Sequence, residues 1–263
     1  MNTHRFVLFI ALISLLSTSC RKKLDSAEPA GAIKATMVET LDSTGTGRHL
    51  ILNFATVKVY ACCNFNIKYQ MMREGNVITI RFGEVNMPPM CLTSLGPATA
   101  QIDLGVLPTG TYTLNLVSGT TNSSTLTVDN NQYKLSPVSG TNISFATTTL
   151  LKVPDNTIWG YVCFDSTGTY PTLLNTFFDS LNITGAQNVS YTPGDYGFFQ
   201  LFAGNVFPHR DGCIYSRQFI YKYTANLPRL KQLVWNYWGL SKQTFYINLH
   251  TDKGYNYMSW YQH

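Results

Sequence analysis

The densest run of groups able to move a proton is Pro208-His209-Arg210-Asp211-Gly212-Cys213. An imidazole two residues from a carboxylate can act as a general base or a ligand with an acidic partner. The same run reads as an exposed turn between two strands that ends at a cystine, and that reading is favoured. His250 and Asp252 repeat the pattern at a second turn. No Glu follows Glu84, so a catalytic carboxylate pair in the C-terminal half would come from Asp165, Asp179, Asp195 and Asp211. Spacing alone brings no two of these together. Asp-Ser-Thr-Gly-Thr occurs at Asp42 and again at Asp165, both between expected elements, where turn chemistry accounts for it. The sequence holds no His-Glu-x-x-His, no Gly-x-Ser-x-Gly elbow, no phosphate-binding P-loop and no EF-hand loop. Nothing in it asks for a metal or another cofactor.

Aromatic side chains carry a stronger signal. Of 35 aromatics, 25 lie in residues 157–263. Tyr255, Tyr257, Trp260 and Tyr261 crowd the last expected strand. Trp235 sits roughly 110° from the centre of its helix's apolar stripe, which places it near the surface. Exposed Trp and Tyr can stack on sugar rings or anchor a protein partner. A tyrosine-rich core with hydroxyls at its rim is the plainer alternative.

Composition bounds the class. The 263 residues are 44% hydrophobic and only 13% charged, about half the usual ~25% charge, so a charge-driven disordered chain is excluded. The net charge of +5 is spread thinly, with no basic cluster of the size a nucleic-acid footprint needs.

At the N-terminus, His4 and Arg5 precede an apolar run at residues 6–16, then Ser17, Thr18, Ser19 and Cys20. This is the anatomy of an export signal, and the run is shorter than the ~20 residues a spanning helix needs. A cysteine directly after small residues resembles the lipobox of bacterial lipoproteins, in the looser form of Bacteroidota-type envelope proteins. The resemblance implies that Cys20 becomes the lipidated first residue and anchors the chain to a membrane. Arg21, Lys22 and Lys23 follow, and acid appears only at Asp25. By the same resemblance, that pattern implies the outer membrane, facing the periplasm. Residues 1–19 are then signal, and 20–32 a tether.

The elements that must hold the chemistry fall into two expected domains, at 33–150 and 157–263, joined by a linker at 151–156. In the first, segments 50–60, 65–69, 77–82, 101–104, 111–117 and 125–128 are rich in β-branched and aromatic residues. Ile78, Ile80 and Phe82 alternate with Val77, Thr79 and Arg81. Strands about every ten residues without a helical stripe predict an all-β sandwich. Leu104, the Pro108-Thr109-Gly110 turn and Tyr112, followed by the strand at 124–128, resemble the closing strands of Ig-like modules of envelope proteins. The resemblance implies a fold and no activity.

In the second domain, 157–164 predicts a strand. Pro171 opens a helix with the stripe Leu174, Phe177, Phe178 and Leu181. Residues 187–202 read as one strand bent at Pro193-Gly194, and 214–223 as another. Asn226 and Pro228 start a second helix with the stripe Leu227, Leu230, Val234 and Tyr237. Segments 243–249 and 255–261 form a closing hairpin. The order β-α-β-β-α-β-β predicts an α+β domain of ferredoxin-like type with an extra strand, or another α+β meander of the same elements. In the first plan the strands at 157–164 and 214–223 are neighbours, which predicts a Cys163–Cys213 disulfide. Cys62, Cys63 and Cys91 leave an odd count. Adjacent strand residues face opposite ways, so either Cys62 or Cys63 pairs with Cys91.

The leading expectation is a non-catalytic, lipid-anchored envelope protein whose aromatic-rich C-terminal domain binds a protein or a glycan. An envelope hydrolase using Asp and His209, and a structural or assembly subunit, are the alternatives.

Overall fold

The computed structural model describes residues 30–41, 47–92, 94–136, 142–164, 170–208, 213, 215–237 and 245–259. Among these, eighteen strands and two helices form.

The first part holds β1 (Ile33–Leu41), β2 (Arg48–Tyr60), β3 (Asn66–Glu74), β4 (Val77–Asn86), β5 (Gly96–Asp103), β6 (Gly110–Ser118), β7 (Thr120–Val128), β8 (Gln132–Leu135), β9 (Ile143–Phe145) and β10 (Thr149–Leu151). Alternation makes these strands two-faced. On β5, Ala98, Ala100 and Ile102 point inward, and on β7 Asn122, Ser124, Leu126 and Val128 do. All ten strands belong to one sheet in the order β10-β8-β7-β6-β4-β3-β5-β2-β1-β9. The sheet curls on itself. Glu39 on β1 accepts a hydrogen bond from the Tyr133 hydroxyl on β8 at 3.2 Å, although the two strands stand seven places apart in the sheet. Laid flat, seven steps would separate them by about 34 Å. A single core then fills the curl, from Ala35 and Phe54 to Leu126 and Tyr133.

This corrects the expected Ig-like sandwich. Period-two patterning decides which side of a strand is buried, but not which strands are neighbours. Here β4 pairs in parallel with β6 through Val77–Thr113 to Arg81–Val117, while β5 crosses to lie beside β2. The run that resembled closing Ig strands is a local corner. Tyr112 is buried and its hydroxyl donates to the Pro108 carbonyl at 2.8 Å.

The second part holds β11 (Thr157–Phe164), α1 (Tyr170–Ile183), β12 (Ala186–Gln187), β13 (Gly194–Asp195), β14 (Phe199–Phe202), β15 (Asn205–Pro208), β16 (Tyr215–Tyr223), α2 (Leu227–Trp235), β17 (Phe245–Thr251) and β18 (Asn256–Met258). Five of these strands pair antiparallel in the order β12-β16-β11-β17-β18. The helices cover one face, where Phe177, Leu181, Leu230 and Val234 meet Val162, Phe219 and Ile247. A separate three-stranded sheet, β13-β14-β15, covers part of the other, where Tyr196, Phe199, Leu201 and Val206 pack on Trp159.

That third sheet overturns the expected ferredoxin-like domain. Of the segment expected as one bent strand, only Gln187 stays in the main sheet, following Ala186. Gly197 and Gly204 take φ of +79° and +78°, values that favour glycine. They turn the chain into short strands that bury their aromatics on the opposite face. The molecule is therefore mainly β.

The two parts meet closely. β10 turns Leu150 into the first core and packs Leu151 against the Trp159 cluster. A Cβ at Gly197 would stand 3.3 Å from Leu150 Cδ1 and 3.6 Å from Val38 Cα. Arg48 crosses the seam. It hydrogen-bonds the Val153 carbonyl and lies 3.1 Å from Asp155, 3.4 Å from Glu39 and 3.8 Å from Asp252.

Candidate functional site

The helix-free face of the five-stranded sheet carries a concentrated polar and aromatic surface. After Gln187, the chain at Asn188 swings away from β16, while β16 continues as the neighbour of β11 back to Tyr215. The gap is a cleft of about 400 Å³, lined among others by Asn188, Tyr191, Asn205, Phe207, Arg217 and Gln218. Its volume lies in the range of small-ligand sites, roughly 300–1,000 Å³. Phe207 is 51% exposed. Arg217, at the sheet's edge, turns its guanidinium to the helix side, its carbon 4.3 Å from the Phe178 ring centroid. Gln218 donates to Ser216 Oγ at 2.7 Å, which orients its amide.

From Gln218 a row runs across the sheet. Gln218 is in register with Tyr161, Tyr161 with Asn248, and Asn248 with Met258. Asn248 Nδ2 donates to the Tyr161 hydroxyl at 3.1 Å. Among the described residues its Oδ1 has no partner, although the residue is only 8% exposed. An orphaned buried acceptor of this kind costs about 1–3 kcal/mol. The next row pairs Trp159 with His250, stacked at 5.6 Å and 16°. Phe198 and Phe199 flank Trp159 at 5.5 and 5.4 Å. Burial alone holds the His250 pKa down to about 4, so its imidazole is neutral at neutral pH.

Amides beside the exposed Phe207 and the half-buried Tyr191 suit one kind of chemistry. Amides hydrogen-bond hydroxyls in both directions, and the rings offer apolar faces to stack on. Among the described residues, no group of three or more His, Cys, Asp or Glu is placed to hold a metal.

The expected site residues are scattered relative to this cleft. Trp235 is half-buried at the end of α2, with Lys231 Nζ 4.3 Å from its ring centroid. Tyr255 is 40% exposed and stacks on Tyr257 at 6.1 Å, while Tyr257 is buried in the helix-side core. Both tyrosines lie at the β18 edge of the sheet, opposite the edge that borders the cleft. Cys20, His209, Trp260 and Tyr261 lie outside the described residues. Cys163 and Cys213 are disulfide-bonded, with Cα atoms 5.7 Å apart. Cys62 pairs with Cys91, their Cα atoms 5.4 Å apart, and Cys63 is free and exposed. Sequence reasoning missed Asn188, Asn205, Gln218 and Asn248, because amides on strands and at strand ends match no motif.

A second polar cluster lies at the seam between the two parts. Glu39 is fully buried. Burial raises its pKa, opposed by the Arg48 guanidinium, the Val153 amide and the Tyr133 hydroxyl. Burial likewise lowers Lys152, opposed by Glu39 and Asp129. These groups satisfy one another and tie β1, β2 and β8 to the start of the second part.

No protein-family model, curated protein or solved structure matches the chain.

Proposed function

We propose that the protein is a non-catalytic, lipid-anchored envelope protein that binds a glycan in the cleft beside β16. The observation that carries the reading is the cleft itself, where Asn188, Asn205, Gln218 and Arg217 line one space with Tyr191 and Phe207. The anchor is Cys20, whose setting after Ser17, Thr18 and Ser19 resembles a lipoprotein cleavage site. In this reading the protein sits on the outer membrane and faces the periplasm. The curled sheet holds the cleft away from the bilayer.

The test is a glycan array with the full chain, followed by titration of the best oligosaccharide against Asn205→Ala and Gln218→Ala. Each substitution should weaken binding about ten- to a hundredfold, the loss expected for one polar contact in a desolvated site. Silence across the array, together with capture of one envelope protein whose binding Phe207→Ala abolishes, would replace the glycan with a protein partner.

A further inference from the structure

The two ends of the curled sheet differ in chemistry. At one end Leu41 pairs with Arg48, and Arg48 reaches the Val153 carbonyl, so that end meets the second part. At the other end β1 begins, with Ile33 opposite Thr56. Tyr60 pairs there with Gly96, and Asn66 with Asn86. Because β6 runs parallel to β4, Ser118 lies at the same end. Six apolar side chains are exposed here: Val57, Val59, Met87, Met90, Leu92 and Leu95. Met90 is 73% exposed and Leu95 74%. Segments 30–33, 56–66, 86–99 and 118–121 make up this end and carry one charge, Lys58, and no carboxylate. Apolar side chains gathered and exposed in this way mark a surface that something covers.

The chain at 87–95 is fixed with these side chains outward. Cys91 is bonded to Cys62. Asn64 holds the segment on both sides of that bond. Its Nδ2 donates to the Met90 carbonyl at 2.7 Å, and its Oδ1 accepts from the Leu92 N–H at 3.2 Å. The Ser94 N–H donates to the Leu92 carbonyl at 2.7 Å. Pro88 and Pro89 have no N–H to satisfy. Much of this main chain is therefore satisfied without water, the condition for entering an apolar layer.

We propose that this end rests on the bilayer that holds the anchor, with Met90, Leu92 and Leu95 sunk among the acyl chains. The inference rests on the lipidation of Cys20 in the reading above. The occupant follows from where the chain enters the fold. Ala30 is buried, its N–H donates to the Gly83 carbonyl, and its carbonyl accepts from the Ser118 hydroxyl. The tether thus joins the body at the apolar end. Ala30 stands ten residues after Cys20, a reach of at most about 35 Å. Arg21, Lys22 and Lys23 follow the anchor directly, where their charge suits anionic headgroups. Three apolar side chains hold a bilayer weakly on their own, but the anchor keeps them at high local concentration beside it.

The experiment uses the full chain, purified in mild detergent and reconstituted into phosphatidylethanolamine–phosphatidylglycerol vesicles. Cys63, a free and exposed thiol next to the Cys62–Cys91 bond, takes a fluorescent tag without substitution. Nitroxides placed midway along the acyl chains should quench that tag. Met90→Asp and Leu95→Asp should each lower the docked-to-undocked ratio about tenfold or more, with circular dichroism unchanged because both side chains are exposed. Ile183→Asp, on the second part and 77% exposed in the parent, should leave the quenching as it was. A tag equally bright with and without nitroxides, or quenching indifferent to both Met90→Asp and Leu95→Asp, overturns the proposal. So does an envelope protein that Leu95→Asp releases while the tag stays unquenched, which gives this end to a protein partner. Labelled palmitate, followed in the same preparation, keeps the two claims apart. Palmitate without quenching removes the docking and leaves the anchor. Quenching that Met90→Asp abolishes, without palmitate, removes the anchor and leaves the docking.

Discussion

The half-buried His250 and the buried Glu39 are titratable groups whose shifts act on stability with opposite signs. Burial holds His250 near 4 in the folded state, against roughly 6.5 when unfolded. Between those values the unfolded chain binds the extra proton, so this contribution is present above pH 6.5 and lost as pH falls toward 4. Its size is about 2–3 kcal/mol. Denaturant melts at neutral pH and near the lower end of that window should show the loss, and His250→Phe, which keeps a ring beside Trp159, should abolish it. Glu39 runs the other way. Its folded pKa is raised, so its contribution is full below the unfolded value of ~4.5 and declines as pH rises through the folded one. Glu39→Gln should flatten that decline, leaving Arg48 to Asp155 and Asp252. Glu39 was legible in principle, since the alternation of Ile33, Ala35 and Met37 puts position 39 on the inner face. Its partners were not, because Arg48, Tyr133 and Val153 come from three other places in the chain.

Among elements, β11 is the spine of the second part, paired on both sides by β16 and β17. Gly160 permits this, because a Cβ there would run into the Asn248 carbonyl oxygen. Gly160→Ala should force β11 and β17 apart, costing about 1–3 kcal/mol in denaturant melts and disturbing the Tyr161–Asn248 bond. The Cys163–Cys213 bond spans 50 residues. Replacing both cysteines with Ser should cost about 4 kcal/mol in the chain-entropy model, read from the midpoint shift. The strands and helices themselves were largely readable, because period-two and i, i+3, i+4 patterns report burial directly. Sheet membership was not. The parallel β4–β6 pairing and the departure of β13, β14 and β15 depend on contacts far apart in sequence, which no local period encodes. The glycines at 194, 197 and 204 were the available sign that residues 187–202 could not stay one strand.

For the whole molecule, the proposed reading puts anchorage and recognition at different ends of the chain. Among the described residues no helix is long and apolar enough to cross a membrane. Attachment in the proposed reading rests on Cys20. Labelled palmitate should enter the wild-type protein, and Cys20→Ala should leave the membrane fraction. The aromatic excess of the C-terminal half pointed to that half as the binding part, yet most of those rings build its two cores. The cleft emerges only when β12 parts from β16 and β15 closes the far wall. Calorimetric titration of the full chain with an array-selected oligosaccharide decides between this cleft and the tyrosine-rich β18 edge. Saturable binding is expected, weakened about ten- to a hundredfold by Gln218→Ala and by Asn205→Ala and unchanged by Tyr255→Ala. Binding that ignores both cleft substitutions and disappears with Tyr255→Ala would contradict the cleft as the glycan site.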